Sequence, residues 1–217
     1  MKKITVPFIA NPNTRCVPAC FGMGLAYFSP EKQHSMKDLE EFCGYKEGHG
    51  TWKAVAMTNL AKLGYKVHWI EQFDYDKFAA DPRTYLRSIL DDEAYENQIA
   101  NTDLELEAKR MQEYIDMDLP LENRQATDED IRRFIDDGWL IHLEVNASTL
   151  NGRKEYDGHS VLVIGYDEEG VILHNPDSHG NNPNQHVSWE LLNQAWKEFG
   201  GSYSLHAFKK KYHEEKY

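Results

Sequence analysis

The periodicity of apolar residues changes near Gly138, and this change limits the folds open to the chain. Before it, apolar positions recur at helical spacing, and over Cys16–Phe28 they surround most of the helix circumference. After it, short apolar runs predict strands at 139–145, 160–166, 171–174 and 202–208. Helices first and antiparallel strands later predict the α+β class, with one domain over residues 1–217.

Local signals predict where the other elements begin and end. Four further helices are expected after the capping residues Ser35, Thr51, Thr127 and Ser188. Gly44 and Gly64 end the first two of these helices. Alternating runs at 4–9 and 66–70 predict two short strands, and the polar residues 167–170 predict a tight turn between two strands.

The charge of the chain is concentrated in one segment. Residues 71–137 contain 20 Asp and Glu against 8 Lys and Arg, which accounts for the whole formal charge of −12. Polar helical stretches bracketed by Pro82 and Pro120 predict an acidic helical insertion at about 71–126. Such a surface repels nucleic acid and anionic membranes, so neither is an expected partner. It is interpreted as a solvated helical face, with attraction of a basic peptide as the alternative.

Composition also indicates in which compartment the protein works and whether it needs a cofactor. The three cysteines, an odd and low number, argue against a disulfide framework or a structural zinc site. No apolar run is long enough to span a membrane, and the N-terminus lacks the pattern of a signal peptide. We therefore expect a cytoplasmic protein. The histidines at 174, 179 and 186 are assigned to a solvated loop, so no metal or other cofactor is predicted.

Cys16 is the first candidate for chemistry, because it lies where a loop becomes a helix. Unpaired N–H groups and the dipole at a helix N-terminus favour the thiolate, which is the nucleophilic form of cysteine. The backbone N–H of Cys16 could also help to hold a developing oxyanion. The alternative is a structural cysteine buried at the start of a core helix.

His159 and Asn175 are the candidates that complete such a site. His159 follows Gly158 at the start of an apolar strand, and the next strand ends at Asn175. Paired hairpin strands bring the end of one close to the start of the other, where an Asn side chain can orient an imidazole. The alternative for His159 is a core histidine with a satisfied hydrogen bond.

These residues carry a resemblance to a known family. The segment from Val6 to Asn11, followed by Cys16-Val17-Pro18-Ala19-Cys20 and an apolar helix, resembles the start of the bacteriocin-leader-processing peptidase-like family of papain-like cysteine peptidases. Gly158-His159 before an apolar strand and Asn175-Pro176 after the next one match its later landmarks. The closing segment with Ser188-Trp189 is also similar. The likeness covers roughly residues 4–70 and 127–208.

The resemblance implies a bacterial papain-like hydrolase that cleaves a peptide or amide bond. It implies that Cys16 is the nucleophile, His159 the general base and Asn175 the orienting residue. Asn11 stands where the family supplies an oxyanion-hole Gln, with Asn13 as a weaker candidate, and Val17 replaces the usual Gly. Two alternatives stay open: an acyltransferase with the same triad, and an inactive papain-like module that binds peptides, which the residues at positions 11 and 17 favour.

Overall fold

The computed structural model describes residues 1–211, which form a mixed α+β fold as predicted. Its helices are α1 Cys16–Phe28, α2 Met36–Cys43, α3 Ala54–Lys62, α4 Tyr75–Ala80, α5 Pro82–Ile89, α6 Asp92–Asn101, α7 Leu104–Asp116, α8 Asp128–Asp136, α9 Ala147–Leu150 and α10 Trp189–Lys197. Its strands are β1 Lys2–Lys3, β2 Tyr65–Ile70, β3 Leu121–Glu122, β4 Leu140–Asn146, β5 Gly158–Tyr166, β6 Gly170–Asn175, β7 Asn182–Ser188 and β8 Leu205–Lys210.

All the strands belong to one sheet, ordered β3-β2-β8-β4-β5-β6-β7, with β1 paired to β5. The pairs are antiparallel apart from β2 with β3. The sheet separates two hydrophobic clusters because successive side chains of a strand point to opposite faces. One cluster packs α1 to α5 and α7 against the sheet, and the other packs α8 and α10 against the opposite face.

Two glycines let α1 pack closely against its neighbours. A β-carbon at Gly22 would lie 2.5 Å from the Leu39 side chain, and one at Gly24 would lie 2.3 Å from the Phe208 ring. Phe208 is fully buried and stacks on Phe21 with ring centroids 5.4 Å apart, so its ring has no room to move aside. This close contact fixes the position of the helix that begins with Cys16.

Replacing Gly24 with alanine should therefore destabilise the fold. Forcing a methyl group into this contact costs about 1–3 kcal/mol, and the better helix propensity of alanine returns at most about 1 kcal/mol. The 2.3 Å contact places the cost at the upper end of this range, so we expect a net loss of about 2 kcal/mol in the free energy of unfolding, measured by urea denaturation. Gly180→Ala is the matched control, because among the described residues no atom lies within 4 Å of its β-carbon position. Equal stability of the parent and Gly24→Ala would show that α1 can shift.

The capping predictions hold where the cap is a local interaction. Ser35 and Thr127 form complete capping boxes at α2 and α8, and Ser188 caps α10. Gly44 ends α2 in the left-handed conformation. The predicted cap at Thr51 is wrong: α3 begins later, and its N-cap, Lys53, makes no side-chain capping bond.

Two strand predictions are wrong for reasons of tertiary structure. Residues 4–9 form no strand, although apolar and polar residues alternate along them. Val6 is buried, but its backbone carbonyl bonds the side chain of His174 and not the backbone of a neighbouring strand. The expected loop after residue 174 contains β7, a polar and mostly exposed strand that pairs with β6. Its backbone partner, and not its side-chain pattern, makes it a strand.

The acidic insertion at about 71–126, within one domain over 1–217, stays a prediction. The segment contains α4 to α7, as its helical stretches predicted, and also β3, a two-residue strand at the edge of the sheet. Its buried residues, such as Phe78 and Tyr114, pack in the same cluster as α1. None of the helices in the described part of the chain is long and apolar enough to cross a membrane.

Candidate active site

Cys16 is the first residue of α1 and is partly exposed to solvent. The loop before it is anchored, because the Asn11 Oδ1 accepts a hydrogen bond of 2.7 Å from the backbone N–H of Arg15. Pro18 occupies the first turn, where its missing N–H leaves no partner unsatisfied. The thiol thus stands at the positive end of a helix whose own position is fixed by close packing.

The ionisation of Cys16 is coupled to that of His159. Burial raises the pKa of the Cys16 thiol, but a hydrogen bond to His159, its charge and bonds from Ser160 outweigh burial, so the net pKa is lowered. Burial lowers the pKa of His159, but the hydrogen bond and charge of Cys16, and then Asn175, raise it overall. The two shifts favour a thiolate beside an imidazolium, which is the reactive form of such a pair.

The other two cysteines lie in a different environment. Cys20 and Cys43 are buried, and burial raises the pKa of each thiol well above its ordinary value. Both are therefore uncharged at neutral pH. Cys16 is the thiol whose surroundings favour a nucleophile.

His159 lies at the start of β5 and is held by the next strand. Its Nε2 bonds the Asn175 Oδ1 at 2.8 Å. Since an amide oxygen can only accept, the Nε2–H donates, which leaves the Nδ1 to interact with Cys16. The hairpin of β5 and β6 produces this contact, as the sequence predicted, although a bulge between Val163 and Gly165 shifts the register.

Side chains that were not predicted as site residues hold the Asn175 amide. Asn175 is fully buried, and its Nδ2 donates to the Gln185 Oε1 at 2.8 Å. Nearby, the Asp177 carboxylate accepts from the Asn151 Nδ2 at 2.7 Å and from the Arg153 Nη2 at 2.8 Å. In the sequence, the only indication of this second hydrogen-bonded group was that Asp177 lies two residues after Asn175. Gln185 lies on the strand that was not predicted.

Asn11 combines one occupied and one available polar group. The residue is 8% exposed. Its side-chain Oδ1 accepts from the Arg15 N–H, and its backbone N–H donates to the Asn181 Oδ1 at 3.2 Å. Within residues 1–211 the Nδ2 donor has no hydrogen-bond partner. Asn13 is exposed, and Val17 packs in the cluster beneath α1. The arrangement leaves an amide donor in the loop before the thiol.

His179 is exposed in a turn as predicted, but the assignment of His174 and His186 to a solvated loop is wrong. His174 is buried in β6, where its Nδ1 accepts from the Asn184 N–H at 3.1 Å and its Nε2 lies 2.9 Å from the Val6 carbonyl. His186 is exposed on β7 and contacts Asp167.

One group of potential metal ligands lies near the site. Asp157, Asp177 and His179 place ligand atoms within 4.8 Å of one another. Arg153 Nη2 bonds both carboxylates, at 2.9 and 2.8 Å, and its guanidinium balances part of their charge. This charge pairing links the loop after β6 to the residues just before β5.

A groove of about 520 Å³ opens next to Phe199, and its lining does not include Cys16, His159 or Asn175. Its wall includes Trp52, Phe73, Tyr85 and Phe199. The Phe199 ring lies 3.1 Å from the position of a β-carbon at Gly158, the residue before His159. The groove is therefore contiguous with the strand that carries the histidine.

The comparisons with known proteins agree with this architecture. The chain belongs to the Peptidase_C39 like family, whose model matches residues 3–204. It is similar to a Bacillus anthracis protein described as a C39-like peptidase, with a TM-score of 0.58, 16% identity and coverage of 97% of this chain and 98% of that one. It also resembles a double glycine motif protease from an AMS/PCAT transporter, solved with its leader peptide: TM-score 0.50, 11% identity, coverage 97% and 95%. No curated protein matches the sequence.

These matches confirm the predicted family and the papain-like α+β fold. The family match spans residues 71–126 as well as the two regions that carried the resemblance. At such low identity the structural likeness shows the fold alone. The roles of individual residues therefore depend on the geometry of this chain.

Proposed function

We propose that this protein is a cysteine peptidase that cleaves a peptide or amide bond through Cys16, His159 and Asn175. The proposal is carried by the position of Cys16 at the first residue of α1 and by the 2.8 Å hydrogen bond between the His159 Nε2 and the Asn175 Oδ1. The pKa shifts, down for the Cys16 thiol and up for the His159 imidazole, agree with it. A lowered thiol pKa beside a raised imidazole pKa favours a thiolate–imidazolium ion pair, in which the thiolate can attack as a nucleophile. Asn175 supports the same assignment, since it bonds the far nitrogen of the ring.

The reaction follows from these positions. The Cys16 thiolate attacks the carbonyl carbon, and the oxyanion accepts hydrogen bonds from the Cys16 N–H and the Asn11 Nδ2. The His159 imidazolium gives its proton to the leaving amine, and a thioester acyl-enzyme remains. His159 then takes a proton from water, which attacks the thioester and restores the thiol.

A peptide is the proposed substrate. One structural neighbour is a protease bound to its leader peptide, and we assign a peptide to the groove whose Phe199 wall reaches Gly158, the residue before His159. All three cysteines, each within residues 1–211, are free thiols. We therefore place the protein in a reducing compartment, the cytoplasm, where Cys16 stays reduced. The acidic helices of residues 71–126 are proposed to be an insertion that flanks this groove.

A library of fluorogenic peptide amides tests the proposal. We expect the parent protein to release the fluorophore and Cys16→Ser to lose release by at least about a hundredfold. Iodoacetamide should alkylate Cys16 faster than Cys20 or Cys43 at pH 7, and alkylation should stop turnover. Product analysis with added amines separates hydrolysis from acyl transfer. Full turnover by Cys16→Ser would refute the proposal, and absence of turnover in the parent would favour a peptide-binding module.

A further inference from the structure

The groove next to Phe199 contains a carboxyl group that the proposed reaction does not use. Glu71 lines it together with the aromatic side chains of Trp52, Phe73, Tyr85 and Phe199. Glu71 is only 9% exposed, so little of its side chain contacts solvent. A nearly buried carboxylate facing a groove points to an occupant that compensates its charge.

The hydrogen bonds of Glu71 leave one oxygen without a partner. Its Oε2 accepts from the Trp69 Nε1 at 3.0 Å and from the Tyr75 hydroxyl at 2.7 Å. Within residues 1–211 the Oε1 has no hydrogen-bond partner. The two bonds fix the carboxylate in one orientation, and the second oxygen remains available to a group in the groove.

Glu71 also lacks a cation of its own. The neighbouring Lys53 forms a buried ion pair with Glu144, and no Lys or Arg of the described chain pairs with Glu71. Burial and then the charge of Glu144 raise the pKa of Glu71, while Tyr75, Lys53 and Trp69 lower it, with a net rise. A positive group in the groove would restore the charge balance that the protein leaves incomplete.

The walls of the groove suit a cation with an apolar stem. Phe73 and Tyr85 meet edge to face with centroids 4.9 Å apart, and Trp52 and Phe73 meet in the same way at 6.4 Å. Aromatic faces attract ammonium and guanidinium groups and also pack against aliphatic carbons. The surrounding segment, residues 71–137, carries the net negative charge of the chain and attracts cations to this side.

We propose that the groove binds the side chain of a basic residue of the peptide substrate, with the cation at Glu71 and the stem against the aromatic wall. This inference rests on the proposed peptidase function and specifies its substrate. Arginine is favoured over lysine because its planar guanidinium can stack on a ring while it bonds a carboxylate. Because the Phe199 ring lies 3.1 Å from the β-carbon position of Gly158, next to His159, we place the basic residue within a few positions of the scissile bond.

The test compares peptide amides that are identical except for arginine or norleucine at each acyl-side position in turn. At one position the parent should prefer arginine by about tenfold or more in kcat/KM. Glu71→Gln should reduce that preference to about twofold or less and leave turnover of the norleucine peptide nearly unchanged. The glutamine can still accept from Tyr75, and thermal melting verifies that the variant is folded.

Asp76→Asn provides the matched control, because it removes the same charge from an exposed position on α4 outside the groove lining. It should keep the preference for arginine. Equal loss in both variants would show a bulk charge effect and overturn the inference, as would a parent that prefers norleucine at every position.

A second measurement separates this inference from the proposed reaction. The same arginine and norleucine peptides, labelled with a fluorophore, are bound to Cys16→Ser and followed by fluorescence polarisation. Tighter binding of the arginine peptide that disappears in Cys16→Ser/Glu71→Gln supports the groove assignment even if the parent cleaves nothing. Equal affinities in both backgrounds refute it, whatever the outcome for hydrolysis.

Discussion

Replacing His159 with alanine is expected to lower kcat/KM for peptide hydrolysis by on the order of 10⁴-fold. In the proposed reaction, His159 is the proton donor for the leaving amine and the cation that stabilises the Cys16 thiolate, and the change removes both. Burial would still raise the pKa of the thiol, without the hydrogen bond and charge that now lower it. The pH at which Cys16 becomes reactive should therefore move up, and the rate of iodoacetamide labelling at pH 7 should fall.

Labelling rate as a function of pH, together with steady-state kinetics, checks this expectation. His186→Ala is the matched control, because His186 is exposed on β7 and contacts Asp167 away from the thiol. It should leave kcat/KM within about twofold of the parent and leave the labelling profile in place. A folded His159→Ala protein that turns over peptide at the parental rate would remove His159 from the reaction.

The second large effect is expected at Asn11. Losing one oxyanion donor reduces turnover by on the order of 10²- to 10³-fold, so Asn11→Ala should lower kcat by that factor. Labelling of Cys16 should change little, because alkylation forms no oxyanion. The structure adds a complication, since the same side chain accepts the Arg15 N–H at the start of α1. Alanine therefore also costs about 1 kcal/mol of stability through the lost helix-start bond.

Asn11→Asp separates the two roles of this residue. Aspartate keeps an acceptor for Arg15 but removes the Nδ2 donor and places a negative charge near the developing oxyanion. We expect its melting temperature to stay close to that of the parent while its kcat falls at least as far as in Asn11→Ala. Asn11→Gln should keep or raise kcat if the loop adjusts. Parental kcat in both Asn11→Ala and Asn11→Asp would mean that Asn11 only shapes the loop.

Elements defined by neighbours in sequence could be predicted, and those defined by distant partners could not. The capping boxes at Ser35 and Thr127 are interactions over three residues, so their signal is complete in the sequence. Strand β7 contains Pro183 and is polar, yet it pairs with β6 through its backbone. Val6 shows the reverse case: it lies in an alternating apolar and polar segment and is buried, but the segment forms no strand of its own.

The same distinction applies to the site. His159 and Asn175 lie on consecutive strands, so hairpin geometry was enough to predict that they meet. The groove around Glu71 draws its walls from segments near residues 52, 73, 85 and 199, which no local pattern connects. Glu71 itself was counted with the acidic surface, and only its burial distinguishes it from the solvated carboxylates of that segment.

The hydrogen bond that holds Asn175 has a consequence for how the proposed peptidase would lose activity. Gln185, which holds the orienting amide, lies on β7, the last strand of the sheet order and mostly exposed. Edge strands open locally at a lower free energy than the whole domain unfolds. Fraying of this edge would release Asn175 and then the imidazole, while the packed helix that begins with Cys16 stays folded. Inactivation and global unfolding are thus separable events. The part of the structure whose local opening would first disrupt the proposed triad is a strand that contributes none of its three residues.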